Sequence, residues 1–311
     1  MNSDRLPTTL IEAIRYFSDQ DVCVEYVAKL RWEDGPVCPA CGGTEHSYLT
    51  TRRLWKCKNR ECHKQFSVKV GTIFEDSAIP LDKWLAAIWL IANSKNGISS
   101  HELGRAIGIT QKSAWFVLHR IRLAMQVGHF MLDGEVEVDE TLIGGLGENM
   151  HRVRHAAEGI DRGNRNKQTV VGARERGEGG RVRAKVVKDR KKRTLLPFVQ
   201  DNVIPGATVY TDESSSYLDL RWEGFKHAAV NHQKREYVRG VVTTNGIENF
   251  WSLLKRGIKG TYVQVDPAHL FRYVDERTFT FNERNLTDLG RFSLLLSRVS
   301  GKRLTYAELI S

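Results

Sequence analysis

Residues 135–140 read Glu135-Val-Glu-Val-Asp139-Glu140, an alternation of acidic and β-branched residues that predicts a strand. Val136 and Val138 lie on one face of such a strand, and Asp139 lies on the opposite face beside the strand's end. Residues 209–213, Val209-Tyr-Thr-Asp212-Glu, repeat the arrangement, with an apolar strand followed by an acid where the chain turns. Two carboxylates at the ends of adjacent strands can hold two divalent cations. Each could instead be an ordinary turn aspartate.

A third acidic element follows in residues 244–259, Thr244-Asn-Gly-Ile-Glu-Asn-Phe-Trp-Ser-Leu-Leu-Lys-Arg-Gly-Ile-Lys259. Helical spacings of three and four residues place four polar side chains on one face: Asn245, Glu248, Ser252 and Lys255. The same spacing turns four apolar side chains to the core: Ile247, Phe250, Trp251 and Leu254. A carboxylate and an ammonium two turns apart could complete a metal site and bind a DNA strand. An amphipathic surface helix is the alternative.

Four of the five cysteines lie close together, as Cys38-Pro-Ala-Cys41 and Cys57-Lys-Asn-Arg-Glu-Cys62. Two such pairs close a tetrahedral site, so the spacing predicts a structural Zn²⁺ ion. His63 could substitute for Cys62 as a ligand, and reduced structural cysteines are the alternative to a metal site. Cys23 lies outside the set and is expected to be a buried small hydrophobe.

Between residues 80 and 125 the apolar pattern predicts a helix, a second helix, a tight turn and a third helix. This is the form of a helix-turn-helix, whose second helix enters the major groove of DNA. The candidates for base contact are Gln111, Lys112 and Ser113. Those for phosphate contact are His119, Arg120 and Arg122. A helical hairpin without a DNA role would look similar.

The 311-residue chain is basic, with 47 Lys plus Arg against 37 Asp plus Glu, a net charge of +10 and a pI near 9.4. This balance favours polyanionic partners, although a solvated basic face would give the same numbers. The N-terminus lacks the apolar region of a signal peptide, and residues 84–92 are far shorter than the roughly 20 residues that span a bilayer. We therefore expect a cytoplasmic protein without a membrane partner, in which clustered cysteines indicate metal rather than disulfides.

The order of these elements resembles the transposases of the insertion-sequence 1595 family, also called ISXO2-like. The resemblance is carried by the cysteine pairs, the helix-turn-helix, Asp139-Glu-Thr-Leu-Ile-Gly-Gly, Tyr210-Thr-Asp212 and residues 244–262, and it runs from about residue 15 to about residue 290. It implies a ribonuclease-H-like catalytic domain with a mixed sheet, in which Asp139 lies on the first strand and Asp212 on the fourth.

The resemblance also implies a third metal ligand on a C-terminal helix. Family members differ in whether this position is read as Asn or Glu, and here Asn245 and Glu248 are both present. Glu248 is favoured because it is ionised, with Asn245 as a neutral oxygen ligand or as the helix cap. Lys255 matches the lysine of the family signature, and Lys259 is a further candidate DNA contact. His227 and His232 could lie near the site and assist protonation.

The predicted fold class is therefore mixed α/β, with a zinc ribbon and a helix-turn-helix ahead of the catalytic domain. The strands of that domain are predicted at residues 135–140, 169–175, 182–187 and 208–211. The chain is predicted to contain five regions in order: a helical segment at 1–35, the zinc ribbon at 36–75, the helix-turn-helix at 80–128, the catalytic domain at 133–290 and a C-terminal tail at 291–311.

The predicted function is that of a DNA transposase. It would bind the ends of an insertion sequence and use Mg²⁺ or Mn²⁺ to cleave DNA and transfer the strand into target DNA. The resemblance implies a homo-oligomer acting on paired ends of double-stranded DNA, in the nucleoid. The alternatives are a nuclease of the same fold that does not join strands, and an inactive relative that acts as a zinc-dependent DNA-binding regulator.

Overall fold

The structure is a computed structural model that describes residues 6–144, 167–212, 215–230 and 243–311. The chain divides into two compact units. The first unit consists of Met1–Gln126 together with Leu286–Ser311, and the second unit consists of Val127–Asn285. None of the helices in the described ranges has the length and hydrophobicity that a membrane span requires.

The described residues contain both helices and strands, which confirms the mixed α/β prediction. The α-helices are α1 Leu10–Tyr16, α2 Gln20–Arg31, α3 Leu81–Asn93, α4 Ser100–Ile107, α5 Gln111–Met125, α6 Lys192–Asn202, α7 Asn245–Gly257, α8 Leu270–Asn282, α9 Asp288–Ser297 and α10 Tyr306–Ile310. The β-strands are β1 His46–Leu49, β2 Leu54–Cys57, β3 Gln65–Phe66, β4 Glu135–Ile143, β5 Gln168–Glu175, β6 Val182–Val187, β7 Thr208–Asp212 and β8 Lys226–Val230.

The N-terminal part of the first unit contains α1, α2 and a three-stranded antiparallel sheet in the order β1-β2-β3. These two helices confirm the predicted helical segment, and helix α1 leaves Ile11 and Ile14 62% and 55% exposed. In the sheet, the rings of Trp55 and Phe66 stack with centroids 5.9 Å apart, and the ring of Trp32 packs edge-on against both. This small aromatic cluster is the apolar core of the sheet.

Helices α3, α4 and α5 confirm the predicted order of two helices, a tight turn and a third helix. Ser99 caps α4, and Thr110 caps α5, each through its side-chain oxygen. Between α4 and α5, Gly108 adopts a left-handed conformation (φ 63°) that glycine takes without steric cost. The two helices approach so closely that a Cβ at Gly104 would lie 3.0 Å from the carbonyl oxygen of Ile109. Local signals therefore predicted this region well.

The C-terminal residues, predicted as a tail at 291–311, return to the first unit. Helix α9 buries Phe292 against Phe17 and Trp89, with ring centroids 5.6 and 5.1 Å apart. Further on, Ser300 pairs with Thr72 in an isolated β-bridge. Such contacts join segments far apart in the chain, and they leave no periodic pattern in the sequence. The second unit accordingly ends at Asn285 rather than at the predicted residue 290.

A five-stranded mixed sheet in the order β6-β5-β4-β7-β8 forms the centre of the second unit. Strands β4, β5 and β6 are antiparallel neighbours, whereas β7 is parallel to β4 and β8 is parallel to β7. Asp139 therefore lies on the first strand of the unit and Asp212 on the fourth. This arrangement agrees with the expected sheet and is consistent with a ribonuclease-H-like fold.

The two faces of this sheet bury separate apolar clusters. One face carries Val136 and Val138, which pack with residues of α6 such as Leu195. On the other face, Ile247 and Trp251 of α7 are buried together with residues of α8. Full burial of one such side chain stabilises the fold by about 1.5–3 kcal/mol. Helix α7 is therefore held against the sheet by its apolar face, which leaves its polar face outward as predicted.

Strand β4 is longer than predicted, and this changes the position of Asp139. The strand pairs with β5 without interruption from Val136 to Ile143, so Asp139 lies within the strand rather than beside its end. Backbone pairing to β5 outweighs the low strand propensity of the acidic residues. The strand stops at Gly144, which has a φ of 146°.

The position of three residues in α5 disagrees with the prediction that they contact phosphates: His119, Arg120 and Arg122. All three are buried, with exposed fractions of 0%, 4% and 1%. Arg120 donates from Nε to the carbonyl oxygen of Leu304 (2.9 Å) and from Nη1 to that of Ile73 (3.0 Å). A buried guanidinium can be satisfied by carbonyl oxygens of distant segments, and helical spacing does not reveal those partners.

We expect Arg120→Met to lower the free energy of unfolding of the first unit by about 2–4 kcal/mol, because buried carbonyl oxygens lose their charged donor. Urea unfolding with zinc present measures this loss. The matched control is Arg105→Met, at an exposed position of α4, which should change stability by less than about 0.5 kcal/mol. An Arg120 variant of unchanged stability and reduced DNA affinity would instead support phosphate contact.

Candidate active site and zinc centre

The four predicted zinc ligands converge in the structure. Cys38 and Cys41 lie on a knuckle before β1, Cys57 ends β2, and Cys62 lies in the turn before β3. Their Sγ atoms all lie within 4.8 Å of one another, with Cys38 to Cys62 at 3.7 Å and Cys41 to Cys57 at 3.6 Å. Thiolates at zinc-ligand distance on the corners of a tetrahedron lie about 3.8 Å apart. The four sulfurs therefore fit one Zn²⁺ ion.

The other two residues considered for this site lie outside it. His63 is exposed and does not belong to the group of converging ligand atoms, so Cys62 is the fourth ligand position. Cys23 is fully buried, and its Sγ contacts the carbonyl oxygen of Phe17 at 3.2 Å. Burial raises the pKa of the Cys23 thiol to about 12, which keeps it protonated and unreactive.

Removal of the metal should unfold the ribbon, because its aromatic cluster is too small to compensate for the lost ligand bonds. We expect a chelator, or Cys41→Ser, to abolish zinc content and to broaden the amide NMR signals of residues 36–66. Cys23→Ser is the matched control and should retain one zinc ion per chain. A ribbon that keeps dispersed signals without zinc would contradict a structural role for the metal.

Asp139 and Asp212 lie side by side on one face of the central sheet. The parallel register of β4 and β7 places Glu137 opposite Tyr210, and each aspartate lies two residues further along its strand. Residues two apart in a strand point to the same face, and neighbouring strands are about 4.8 Å apart. The two carboxylates are therefore neighbours, as the sequence predicted.

The electrostatics of this pair are unfavourable without a cation. Burial, together with the charges of Asp212 and Glu248, raises the pKa of Asp139 to about 6. The Oδ1 atom of Asp212 is buried, and it has no hydrogen-bond partner among the described residues. A buried oxygen without a donor is costly unless something positive binds it. The arrangement thus fits a divalent cation bound by hard oxygen ligands.

Glu248 and Asn245 lie in the first turn of α7 on its exposed face. The helix begins at Asn245 and its N-cap is Thr244, so the alternative role of Asn245 as the helix cap is wrong. The Oε1 atom of Glu248 accepts a hydrogen bond from the hydroxyl of Thr244 (2.9 Å). Glu248 is near enough to Asp139 to raise its pKa. The ligand atoms of these acids nevertheless do not converge as closely as the cysteine sulfurs.

Trp251 orients Asp139, a role that the sequence analysis missed by assigning it only to the core. Its Nε1 donates a hydrogen bond to Oδ2 of Asp139 at 2.9 Å. Gly172 of β5, which pairs with Asp139, makes room for the indole, since a Cβ there would lie 2.6 Å from Cη2 of Trp251. The absence of a side chain at residue 172 is therefore a condition for this contact.

Glu137 is a second residue that the sequence analysis missed. Its side chain is almost fully buried, and Oε2 accepts the backbone N–H of Ile247, in the first turn of α7, at 2.8 Å. Arg176 donates from Nε to Oε1 of Glu137 (2.9 Å) and from Nη2 to the carbonyl oxygen of Thr243. Glu137 and Arg176 together fix the start of α7 against β4. The available sequence signal was that Glu137 and Asp139 share one face of a strand.

The contact between Glu137 and the first turn of α7 also explains the glycine at position 246. A Cβ at this position would lie 2.7 Å from Oε2 of Glu137 and would also collide with the guanidinium of Arg174. The glycine of the Thr244–Asn249 segment is therefore required by close packing, because its φ is not in the left-handed region.

His227 does not join the acidic site. It lies on β8 opposite Val209, and its Nε2 is 2.9 Å from Oγ1 of Thr211. Val209 packs in the cluster on the other face from α7. Burial, followed by the charge of Arg221, lowers the pKa of His227, which favours the neutral imidazole. His232 lies outside the described residues.

The predicted base-contact residues lie at the start of α5, where Gln111 and Lys112 are exposed and Ser113 is half-buried. Gln111 donates from Nε2 to the hydroxyl of Ser100 (2.9 Å). The Lys112 ammonium lies 4.8 Å from the ring centroid of Tyr306. The positive end of the helix is thus accessible to an anionic ligand.

Removing the hydrogen bond from the Trp251 indole to Asp139 should lower the free energy of unfolding by an amount that depends on pH. Because the folded-state pKa of Asp139 is raised to about 6, its ionisation opposes folding as pH rises from about 4 through 6. Trp251→Phe removes a donor that stabilises the carboxylate, so we expect a loss of about 1.5–3 kcal/mol at pH 8. That loss should shrink at pH 5, where the carboxyl is protonated.

Urea unfolding at the two pH values measures this difference. Trp222→Phe is the matched control, because Trp222 is 82% exposed and lies outside the site. Equal losses at both pH values would mean that Trp251 acts through packing alone.

Comparison with known proteins agrees with this geometry. Residues 131–282 match the model of the ISXO2-like transposase domain, and residues 18–65 match the transposase zinc-ribbon domain. A protein of Halobacterium salinarum, described as an uncharacterized protein in transposable element ISH50, is 29% identical over 255 residues, covering 78% of this chain and 84% of that protein. An uncharacterized transposase-like protein of Haemophilus influenzae is 31% identical over 116 residues, covering 37% of this chain and 91% of that protein.

The ribbon, the mixed sheet with its acidic pair and these matches together define a transposase with an N-terminal zinc ribbon. The chain belongs to the insertion-sequence 1595, or ISXO2-like, family of transposases.

Proposed function

We propose that this chain is an active DNA transposase that cleaves the ends of an insertion sequence and joins them to target DNA at Asp139, Asp212 and Glu248. The observation that carries the proposal is the position of Asp139 and Asp212 on neighbouring strands, on the sheet face covered by α7. The raised pKa of Asp139 and the buried, unpartnered oxygen of Asp212 support a site built for cations. Carboxylate oxygens are ligands that Mg²⁺ and Mn²⁺ prefer.

The chemistry consists of two phosphodiester substitutions. In the first, a water oxygen bonds to phosphorus at the element's end, and the bond from phosphorus to the element's 3′ oxygen breaks. In the second, the resulting 3′ oxygen bonds to phosphorus in target DNA and a target 3′-hydroxyl leaves. Asp139, Asp212 and Glu248 would hold two Mg²⁺ or Mn²⁺ ions, which would activate the nucleophile and stabilise the leaving oxygen.

The residues of the chain orient these steps. Trp251 fixes one oxygen of Asp139, and Glu137 fixes the first turn of α7 and with it Glu248. We assign the third metal position to Glu248, with Asn245 beside it as a neutral oxygen donor. Lys255, two turns further along the same face, would bind a DNA phosphate.

We assign DNA recognition to the first unit and to the segment that follows α7. Gln111, Lys112 and Ser113 would read base edges in the major groove, and Lys259 would contact a phosphate. Arg120 and Arg122 no longer belong to this set because they are buried. We further infer that the chain acts on paired ends as a homo-oligomer, at the nucleoid.

The proposal is tested by placing the DNA that flanks the gene on a plasmid and adding purified protein with Mg²⁺ or Mn²⁺. We expect end cleavage and strand transfer, and we expect Asp139→Asn and Asp212→Asn to abolish both because the ligand charge is lost. Asp201→Asn, an exposed aspartate of α6, is the matched control and should stay active. Glu248→Gln should cause a larger loss than Asn245→Ala.

Other results would redirect the assignment. Metal-dependent cleavage without joined products favours a nuclease of this fold. Specific binding of the flanking DNA without cleavage by the wild-type chain favours a DNA-binding regulator. Activity that survives in Asp139→Asn would overturn the metal site.

A further inference from the structure

The C-terminal strap, residues 299–311, lies against the helix-turn-helix within the first unit. It begins with the bridge between Ser300 and Thr72, next to a hydrogen bond from the N–H of Gly301 to the carbonyl oxygen of Gly71 (2.9 Å). Leu304 and Leu309 are buried, with exposed fractions of 5% and 3%. The strap is therefore a packed part of the unit.

The strap contacts helix α5 at three places, from the last turn of the helix to its first turns. Lys302 donates from Nζ to the carbonyl oxygen of Leu123 (3.0 Å) in the last turn, and Arg120 donates to the carbonyl oxygen of Leu304 (2.9 Å) in the middle. Near the first turns, the ring of Tyr306 packs edge-on against Phe116, with centroids 5.6 Å apart. These contacts fix the ring of Tyr306 beside the exposed start of α5.

At that position Tyr306 meets Lys112, whose ammonium lies 4.8 Å from the ring centroid. An ammonium over an aromatic face is attracted by about 0.5–1 kcal/mol when exposed. A lysine side chain is otherwise flexible, and ordering it on binding costs about 0.5–1.5 kcal/mol. A ring that already holds the side chain lowers this cost.

We propose that the C-terminal strap completes the DNA-reading surface of the helix-turn-helix, with Tyr306 as the positioning residue for Lys112. This inference rests on the proposed DNA binding by α5. The strap lies beyond the family domains that the comparisons match, which end at residue 282. It gives the C-terminal residues a role in end recognition rather than in chemistry.

The start of α5 stays exposed beside the strap. This exposure favours a strap that takes part in DNA binding over one that shields the surface from DNA. Gln111 and Lys112 remain exposed beside the strap, and Tyr306 is itself 36% exposed. The acidic residue of the last helix, Glu308, is engaged in the capping box with Thr305, where it accepts the backbone N–H. The side chain that the strap presents to Lys112 is thus a neutral ring.

The test is a double-mutant cycle on the full zinc-loaded chain, with fluorescence anisotropy on duplexes of the DNA that flanks the gene and without added Mg²⁺. We expect Tyr306→Ala to weaken binding about two- to fivefold, as the loss of an exposed cation–π contact implies. Tyr306→Phe should bind like the wild type because the ring remains. In a Lys112→Met background, Tyr306→Ala should cause no further loss.

Two controls separate this role from a structural one. Ile310→Ala changes an exposed residue of the same helix (59% exposed) and should leave affinity unchanged. Tyr306→Leu keeps apolar contact with Phe116 without an aromatic face, and it should weaken binding as much as Tyr306→Ala. Thermal unfolding and zinc content are measured on every variant.

Each remaining result contradicts the inference in a distinct way. Wild-type affinity in Tyr306→Leu, or additive losses in the cycle, would show that Tyr306 does not act through Lys112. Tighter binding in Tyr306→Ala would show that the strap covers the surface. A wild-type chain that binds none of the flanking duplexes would overturn the proposed end recognition itself, which is a different outcome from binding that is insensitive to Tyr306.

Discussion

The buried carboxylate of Glu137 connects the central strand of the sheet to the first turn of α7, and the geometry of the acidic site depends on that contact. Taking a carboxylate out of water costs several kcal/mol unless donors replace the solvent. Here the replacement comes from the N–H of Ile247 and the guanidinium of Arg176. Because the strand carries Asp139 and the helix carries Glu248, one interaction sets the spacing of two acids from distant parts of the chain.

Close packing then imposes glycine at two positions. Gly246 allows the helix to reach Glu137, and Gly172 allows the indole of Trp251 to reach Asp139. The acids themselves repel, and burial raises the pKa of Asp139 to about 6. Packing and hydrogen bonds from the surrounding residues thus hold the acids together despite their mutual repulsion. This is expected where carboxylates are arranged to bind cations.

The first unit is stabilised differently, because each of its small modules is too short to bury a sufficient hydrophobic core. The ribbon relies on four cysteines around one metal position and on a few aromatic rings. The helix-turn-helix is supported from outside by the C-terminal residues, through Arg120 and Lys302. A segment that looks like a tail in the sequence is therefore part of the support of α5.

Features that depend on local spacing could be predicted from the amino-acid sequence alone. These were the two cysteine pairs, the order of helices α3, α4 and α5, the buried and exposed faces of α7, and the strands that carry Asp139 and Asp212, because each follows from the period of a helix, a strand or a metal knuckle. Contacts between distant segments decide four other features: the burial of Arg120, the extension of β4 beyond Asp139, the return of the C-terminal strap and the hydrogen bond from Trp251 to Asp139. Each of those depends on a partner far along the chain, and neither the periodicity nor the propensity of a single segment carries information about such a partner.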